Sequence, residues 1–251
     1  MVYNGGGLLK RGETMGRKFE VRKHSMMKTG LQKTKLYSRF GKEIYVCARN
    51  RGVNPEANMA LKRLIERAKK EQVPMDVINR NIDKAAGAGG ENYTDERYEG
   101  FGPSGSAFII DTLTDNVNRT VSEVRACFTK VGSKMGVSGS VTHMFEHLSL
   151  IHVTDVDDEA VLEHLLKTDL NVIDIEADDD GVHITADGFS LDKVESALES
   201  LKGAVIENAE AGWYPHEKVV LDEDARMLFD KFMTMINDVD DVQKIYHNVV
   251  E

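Results

Sequence analysis

His143, Glu146 and His147 form an H-x-x-E-H run, the zinc-site pattern of one class of metalloprotease, in which the two imidazoles share a single zinc. That chemistry needs a helix, which sets the two histidines one turn apart. Here the run follows Gly139-Ser140 and includes Val141, Thr142 and Phe145, residue types that favour a strand. Along a strand, residues four apart stand about 13 Å from each other, too far for two ligands with bonds of ~2.1 Å to share one zinc. The other histidines, His24, His152, His164, His183, His216 and His247, have no ligand spacing, so no metal site is expected. The glycine-rich runs Gly87–Gly90 and Gly100–Ser106 match neither GxGxxG opening a helix nor a P-loop with its Lys-Ser/Thr. They read as a helix stop and as a turn entering a strand. Asp178-Asp179-Asp180-Gly181 lacks the twelve-residue EF-hand pattern and reads as a solvated turn. Cys47 and Cys127 lie far apart with no CxxC, as suits a reducing compartment. No catalytic residue and no cofactor is expected, and the chain reads as a non-enzyme.

Charge carries the positive signal. The 251 residues have a net charge of -10, but residues 1–90 hold 20 Lys+Arg against 8 Asp+Glu, while residues 91–251 hold 12 against 34. A basic third joined to an acidic remainder points to a polyanion partner for one end alone. The candidate nucleic-acid-binding residues are Arg17, Lys18, Arg22, Lys23 and Lys28 on an N-terminal arm and Lys33 and Lys35 after it. Lys62, Arg63, Arg67, Lys69 and Lys70 add a second group, away from the apolar stripe of a helix. Long cationic side chains neutralise phosphates and release counterions, which provides affinity without sequence information. The longest apolar runs, such as Ala107–Ile110, fall far short of the ~18 residues that cross a bilayer. No membrane partner and a cytoplasmic location are expected.

The elements that must position these residues follow from periodicity. Residues 1–30 form a basic flexible arm, with Met15 expected as the natural first residue and 1–14 as non-native or from a mispredicted start. In a helical domain of residues 31–90, Leu36, Tyr37, Phe40, Ile44, Cys47 and Ala48 recur at helical spacing up to Gly52. Asn54-Pro55 is expected to cap a second helix with Ala57, Leu61, Leu64, Ile65 and Ala68 inward. A third helix opens at Pro74, and the polar run to Arg97 reads as a linker. Beyond it, strands are expected at Ser106–Leu113, Val141–His147, Leu150–Val153, Val172–Ala177, Val182–Ala186, Val205–Glu210, Lys218–Leu221 and Val242–His247. Helices are expected near 116–131, 157–167, 190–201 and 222–237, the last with Leu228, Phe229, Phe232 and Ile236 inward. The predicted fold class is α+β multidomain: a three-helix bundle, then two ferredoxin-like domains, residues 91–147 with 214–251 enclosing an inserted domain 148–213.

Several runs resemble the YebC/PmpR family, the opening being most similar to its YeeN-like subgroup. They include Gly16–Phe19, Leu36-Tyr37 to Glu43-Ile44, Ile65–Lys69, Val73-Pro74, Ile82–Ala85, Tyr98–Pro103, Asp115–Thr120, Gly139–Val141 with Met144-Phe145, and Asp240–Lys244 through Tyr246–Asn248. Phe19 stands where that family usually has Trp, and Val137-Ser138 occupy a turn usually written Glu-Pro. The resemblance implies a non-enzymatic three-domain protein. It also implies one of two roles: DNA-binding transcriptional regulation, or ribosome association as in the related mitochondrial translational activator of cytochrome oxidase subunit one. Exposed Lys and Arg with few Asn or Gln on the basic helices favour ribosomal RNA on the ribosome over base-specific duplex DNA. A ligand-sensing or enzymatic role for the ferredoxin-like domains has no visible site, no small-molecule substrate is evident, and the residues leave the oligomeric state open.

Overall fold

The computed structural model describes residues 33–87 and 90–250, which divide into two units at Ala88/Gly89. In the first unit, helix α1 runs through 33–51 and stops at Gly52, whose N–H donates to Ala48 O at 3.0 Å and whose φ of +101° suits glycine. Helix α2 (Met59–Lys70) buries Leu61, Ile65 and Ala68, and helix α3 (Met75–Ala86) buries Ile78 and Ala85. The expected cap moves: Asn54-Pro55 form a turn, and Asn58 caps α2 by accepting from Leu61 N at 3.0 Å. Asn58 is chosen because its amide works at both ends. Its Nδ2 donates to Gly52 O at 2.7 Å, closing the end of α1 onto the start of α2. Ala57, expected inward, is exposed, and Tyr45, off the main stripe, is buried.

The second unit contains two four-stranded antiparallel sheets, each with two helices on one face. Sheet A comprises β1 (Thr94–Phe101), β2 (Ala107–Thr114), β3 (Lys134–Met135) and β8 (Val242–His247), in the order β3-β1-β2-β8, with α4 (Val117–Lys130) and α7 (Glu223–Asn237). Sheet B comprises β4 (Phe145–Thr154), β5 (Val172–Asp178), β6 (Gly181–Asp187) and β7 (Val205–Pro215), with α5 (Asp158–Leu165) and α6 (Leu191–Glu199). Its order, β5-β6-β4-β7, is that of the split-βαβ arrangement. The α+β multidomain fold expected from the sequence is present. Sheet A reaches its four strands by another path, a β1-β2 hairpin flanked by β3 and β8.

Several local expectations are corrected. The run to Arg97 is not linker throughout: Thr94–Phe101 pairs residue for residue with Thr114–Ala107. Val141–His147 is not one strand. Thr142–Met144 makes a 3-10 turn, and β4 then runs unbroken from Phe145, absorbing the strand expected at Leu150. Lys218–Leu221 forms a single bridge, Val219 to Val249. Leu228 is exposed, whereas Phe229, Phe232 and Ile236 are buried.

Strand β2 is the centre of the unit. Phe108 and Ile110 face the helices, packing with Phe128, Phe229 and Phe232. Ala107 and Ile109 face the other way, into a cluster with Val141, Phe145 and Trp213 that joins the two sheets. Burial on both faces is why β2 reads as a continuous apolar run. Arg97 reinforces the junction, donating to Asp111 at 2.6 Å with its guanidinium 4.7 Å from the Trp213 ring centroid. His147 stacks on Trp213 at 4.6 Å.

Candidate nucleic-acid interface

Helix α2 sorts its residues by period. At about 100° per residue, Leu61, Ile65 and Ala68 fall within a stripe roughly 60° wide. Lys62 and Lys69 then stand about 80–100° from Leu61, Arg63 and Lys70 lie nearly opposite it, and Arg67 lies about 120° away on the other flank. Five cations thus occupy the half of the helix turned from the bundle core, with Glu66 among them. Arg67, Lys69 and Lys70 also fall in the last turn, where the helix dipole favours positive charge.

The five differ in what already holds them. Arg67 is bound to α1: its guanidinium pairs with Glu43 and lies 5.3 Å from the Phe40 ring centroid. Lys62 reaches Glu56 at 3.6 Å. Such exposed pairs are weak enough, roughly 0–1 kcal/mol, for a phosphate to displace the carboxylate. Arg67 and Lys69 are exposed at the residue level, as is Lys70, while Lys62 and Arg63 are half-buried. On α1, Lys33 is exposed and Lys35 half-buried. Arg17, Lys18, Arg22, Lys23 and Lys28 lie outside the described residues.

The sequence reading left out six described cations of this unit: Arg39, Lys42, Arg49, Arg51, Arg80 and Lys84. Burial lowers the pKa of the Arg39 guanidinium from its ordinary value, and Glu43 works in the opposite direction. Arg49 donates to Ala85 O at 3.0 Å and to Gly87 O at 2.9 Å, capping the end of α3. Lys84 stands 5.6 Å from the centroid of the Tyr45 ring. The signal for Arg49 was in reach: the last carbonyls of a short helix need donors, and Gly87 offers only its own N–H. Helix α3 adds Asn79 and Arg80 to the exposed surface, Arg80 donating to Asp76 at 3.2 Å.

His143 and His147 do not converge: His143 lies in the 3-10 turn and His147 on β4, against Trp213 and Phe189. Among the described residues, no three His, Cys, Asp or Glu are grouped to hold a metal ion, and no helix is long and apolar enough to cross a membrane.

Comparison with known proteins follows the same division of the chain. Residues 17–88 match the TACO1/YebC protein N-terminal domain, and residues 93–249 match the TACO1/YebC second and third domain. The chain belongs to the YebC family. A relative from Alteromonas mediterranea, named a probable transcriptional regulatory protein, is 48% identical over 237 residues, covering 94% of this chain and 99% of that protein. One of the same name from Vibrio campbellii is 49% identical over 236 residues, covering 93% and 99%. Among solved structures, a conserved hypothetical protein from Aquifex aeolicus superposes with a TM-score of 0.66 at 36% identity, covering 87% of this chain and 90% of that one.

Proposed function

We propose that this YebC-family chain is a non-enzymatic, cytoplasmic regulator of gene expression that binds nucleic acid through its basic N-terminal third. The observation that carries this is the cationic half of α2, opposite the Leu61/Ile65/Ala68 stripe. Relatives named probable transcriptional regulatory proteins support duplex DNA as the partner. The arm residues and Lys33, Lys35, Lys62, Arg63, Arg67, Lys69 and Lys70 supply the phosphate contacts in this reading. A second reading, ribosomal RNA on the ribosome, is supported by the chemistry of the same face. Its side chains are Lys, Arg and Glu, which position a backbone, with no Asn or Gln to read bases.

One experiment tests both. Labelled protein is offered isolated ribosomes and a genomic duplex-DNA pool together at about physiological salt, where non-specific duplex binding is weak. Retention on a few duplex sequences supports transcriptional regulation. Saturable ribosome binding that DNA does not displace supports the translational role. Replacing Lys62, Arg63, Lys69 and Lys70 by Glu should abolish either interaction at physiological salt. At low salt, where residual binding is measurable, the slope of log K against log salt should flatten by about 3 to 4, since each phosphate contact contributes about 0.9. Unchanged binding would remove α2 from the interface.

A further inference from the structure

Residues 148–213 carry 17 Asp+Glu against three Lys, Lys167, Lys193 and Lys202. This surface repels the polyanion proposed for α2, so whatever it meets is of another kind. It also holds a groove of about 410 Å³ between α5 and β5, within the size range of ligand sites. Leu165 and Leu170 line it, and Leu162, Leu166 and Ile173 leave large apolar surfaces in water at 47%, 73% and 51% exposure. Such a cluster marks an interaction surface more often than do scattered apolar residues. Asp158, Glu159 and Asp174 form the rim, and among the described residues no Lys or Arg lines it.

Strand β5 is the end strand of sheet B, which raises strand addition as a binding mode. Two features oppose it. The register slips between Val172 and Asp174, and the Ile175 N–H is taken by the Asp174 carboxylate at 2.9 Å. A bulge and a self-capped amide are devices that close a sheet edge. What remains open is the apolar channel beside the edge, which accepts side chains.

We propose that the α5–β5 groove binds a cationic polypeptide segment of a partner protein, seating one or two large apolar side chains on Leu162, Leu166 and Ile173 while flanking Lys or Arg meet Asp158, Glu159 and Asp174. The groove is separate in sequence from the α2 cations and stands or falls independently of the nucleic-acid reading.

The test uses the full chain and a labelled 14-residue peptide with two leucines in a lysine- and serine-rich background, read by fluorescence anisotropy. Saturable binding is expected. It should weaken about tenfold or more when the peptide's leucines become serine, and by a similar factor in a Leu166→Ser, Ile173→Ser variant, since each large apolar side chain withdrawn from contact forfeits about that much. Replacing the peptide lysines by glutamate should abolish binding. The α2 glutamate variant should bind the peptide as the parent does. No binding by the parent chain, or equal binding of the leucine and serine peptides, would overturn the proposal. Sedimentation without peptide provides the remaining arm: a monomer is expected, and a dimer that Leu166→Ser, Ile173→Ser dissociates would overturn it by assigning the groove to a second copy.

Discussion

Glu99 lies on β1 and is only 3% exposed, yet its carboxylate accepts four hydrogen bonds from one loop. Oε1 accepts from Gly139 N at 2.8 Å and from the Thr142 hydroxyl at 2.7 Å. Oε2 accepts from Val141 N at 2.8 Å and Thr142 N at 3.0 Å. Burial alone would raise its pKa, but the Thr142 hydroxyl and the three backbone N–H groups together hold the pKa below the ordinary carboxyl range. In Glu99→Gln one oxygen becomes NH2. If the remaining oxygen keeps Val141 and Thr142, the Thr142 hydroxyl can turn and accept, but the Gly139 N–H is left facing another donor. Three bonds lose charge assistance at about 1 kcal/mol each and one buried donor loses its partner at about 1–3 kcal/mol, partly offset by easier burial of a neutral amide. The expected net loss is about 3 kcal/mol, or roughly 10 °C in the Tm of a unit this size. Trp213, the one tryptophan of the chain, packs with Val141, so urea unfolding followed by its fluorescence reads the loop directly. The pH dependence has a definite sign. A depressed native carboxyl stabilises fully above the unfolded value of about 4.3 and ceases to do so as pH falls through the native value, so the gap between parent and Glu99→Gln should close on acidification. A loss under about 1 kcal/mol at pH 7, or a gap that does not begin to narrow as pH falls below about 4.3, would refute this account of the loop.

Other buried polar groups give further expectations. Asp241, 2% exposed, accepts from Arg119 at 2.7 Å, Thr120 at 2.7 Å and Thr114 at 3.0 Å; Asp241→Ala should cost about 3–5 kcal/mol in chemical denaturation by stranding that cluster. Asn58→Ala should cost about 2–3 kcal/mol through loss of the cap and of the Gly52 link, measured as the loss of helical circular dichroism on heating. His147 is held below the ordinary histidine value, chiefly by burial and then by Arg97. The unfolded chain therefore takes up a proton that the folded chain refuses, and stability should decline as pH falls below about 6.5 until the native value is reached. His147→Phe should flatten that slope in parallel melts at pH 5 and 7.5.

Periodicity alone was enough wherever an element carries its own apolar pattern. The stripe of α2, the continuous run of β2 and the Phe229/Phe232/Ile236 face of α7 are all visible as spacing, because a one-sided or two-sided core contact imposes a period on the chain that makes it. The charge division between residues 1–90 and the rest is likewise a property of composition, and it is enough to single out the α2 cations. Elements whose reason to exist lies elsewhere in the chain stayed hidden. Thr94–Phe101 buries only Tyr98, Glu99 and Gly100, and is a strand because β2 supplies its hydrogen-bond partners. Phe145–Thr154 joins what looked like two strands because Val205–Pro215 pairs along nearly its whole length. Arg67 was expected to face nucleic acid and Arg49 drew no expectation; only the packing of three helices gave one to Glu43 and Phe40 and the other to the end of α3. Local side-chain chemistry is written residue by residue, whereas hydrogen-bond and ion-pair partners are chosen across tens of residues, and those choices exist only once the chain has folded.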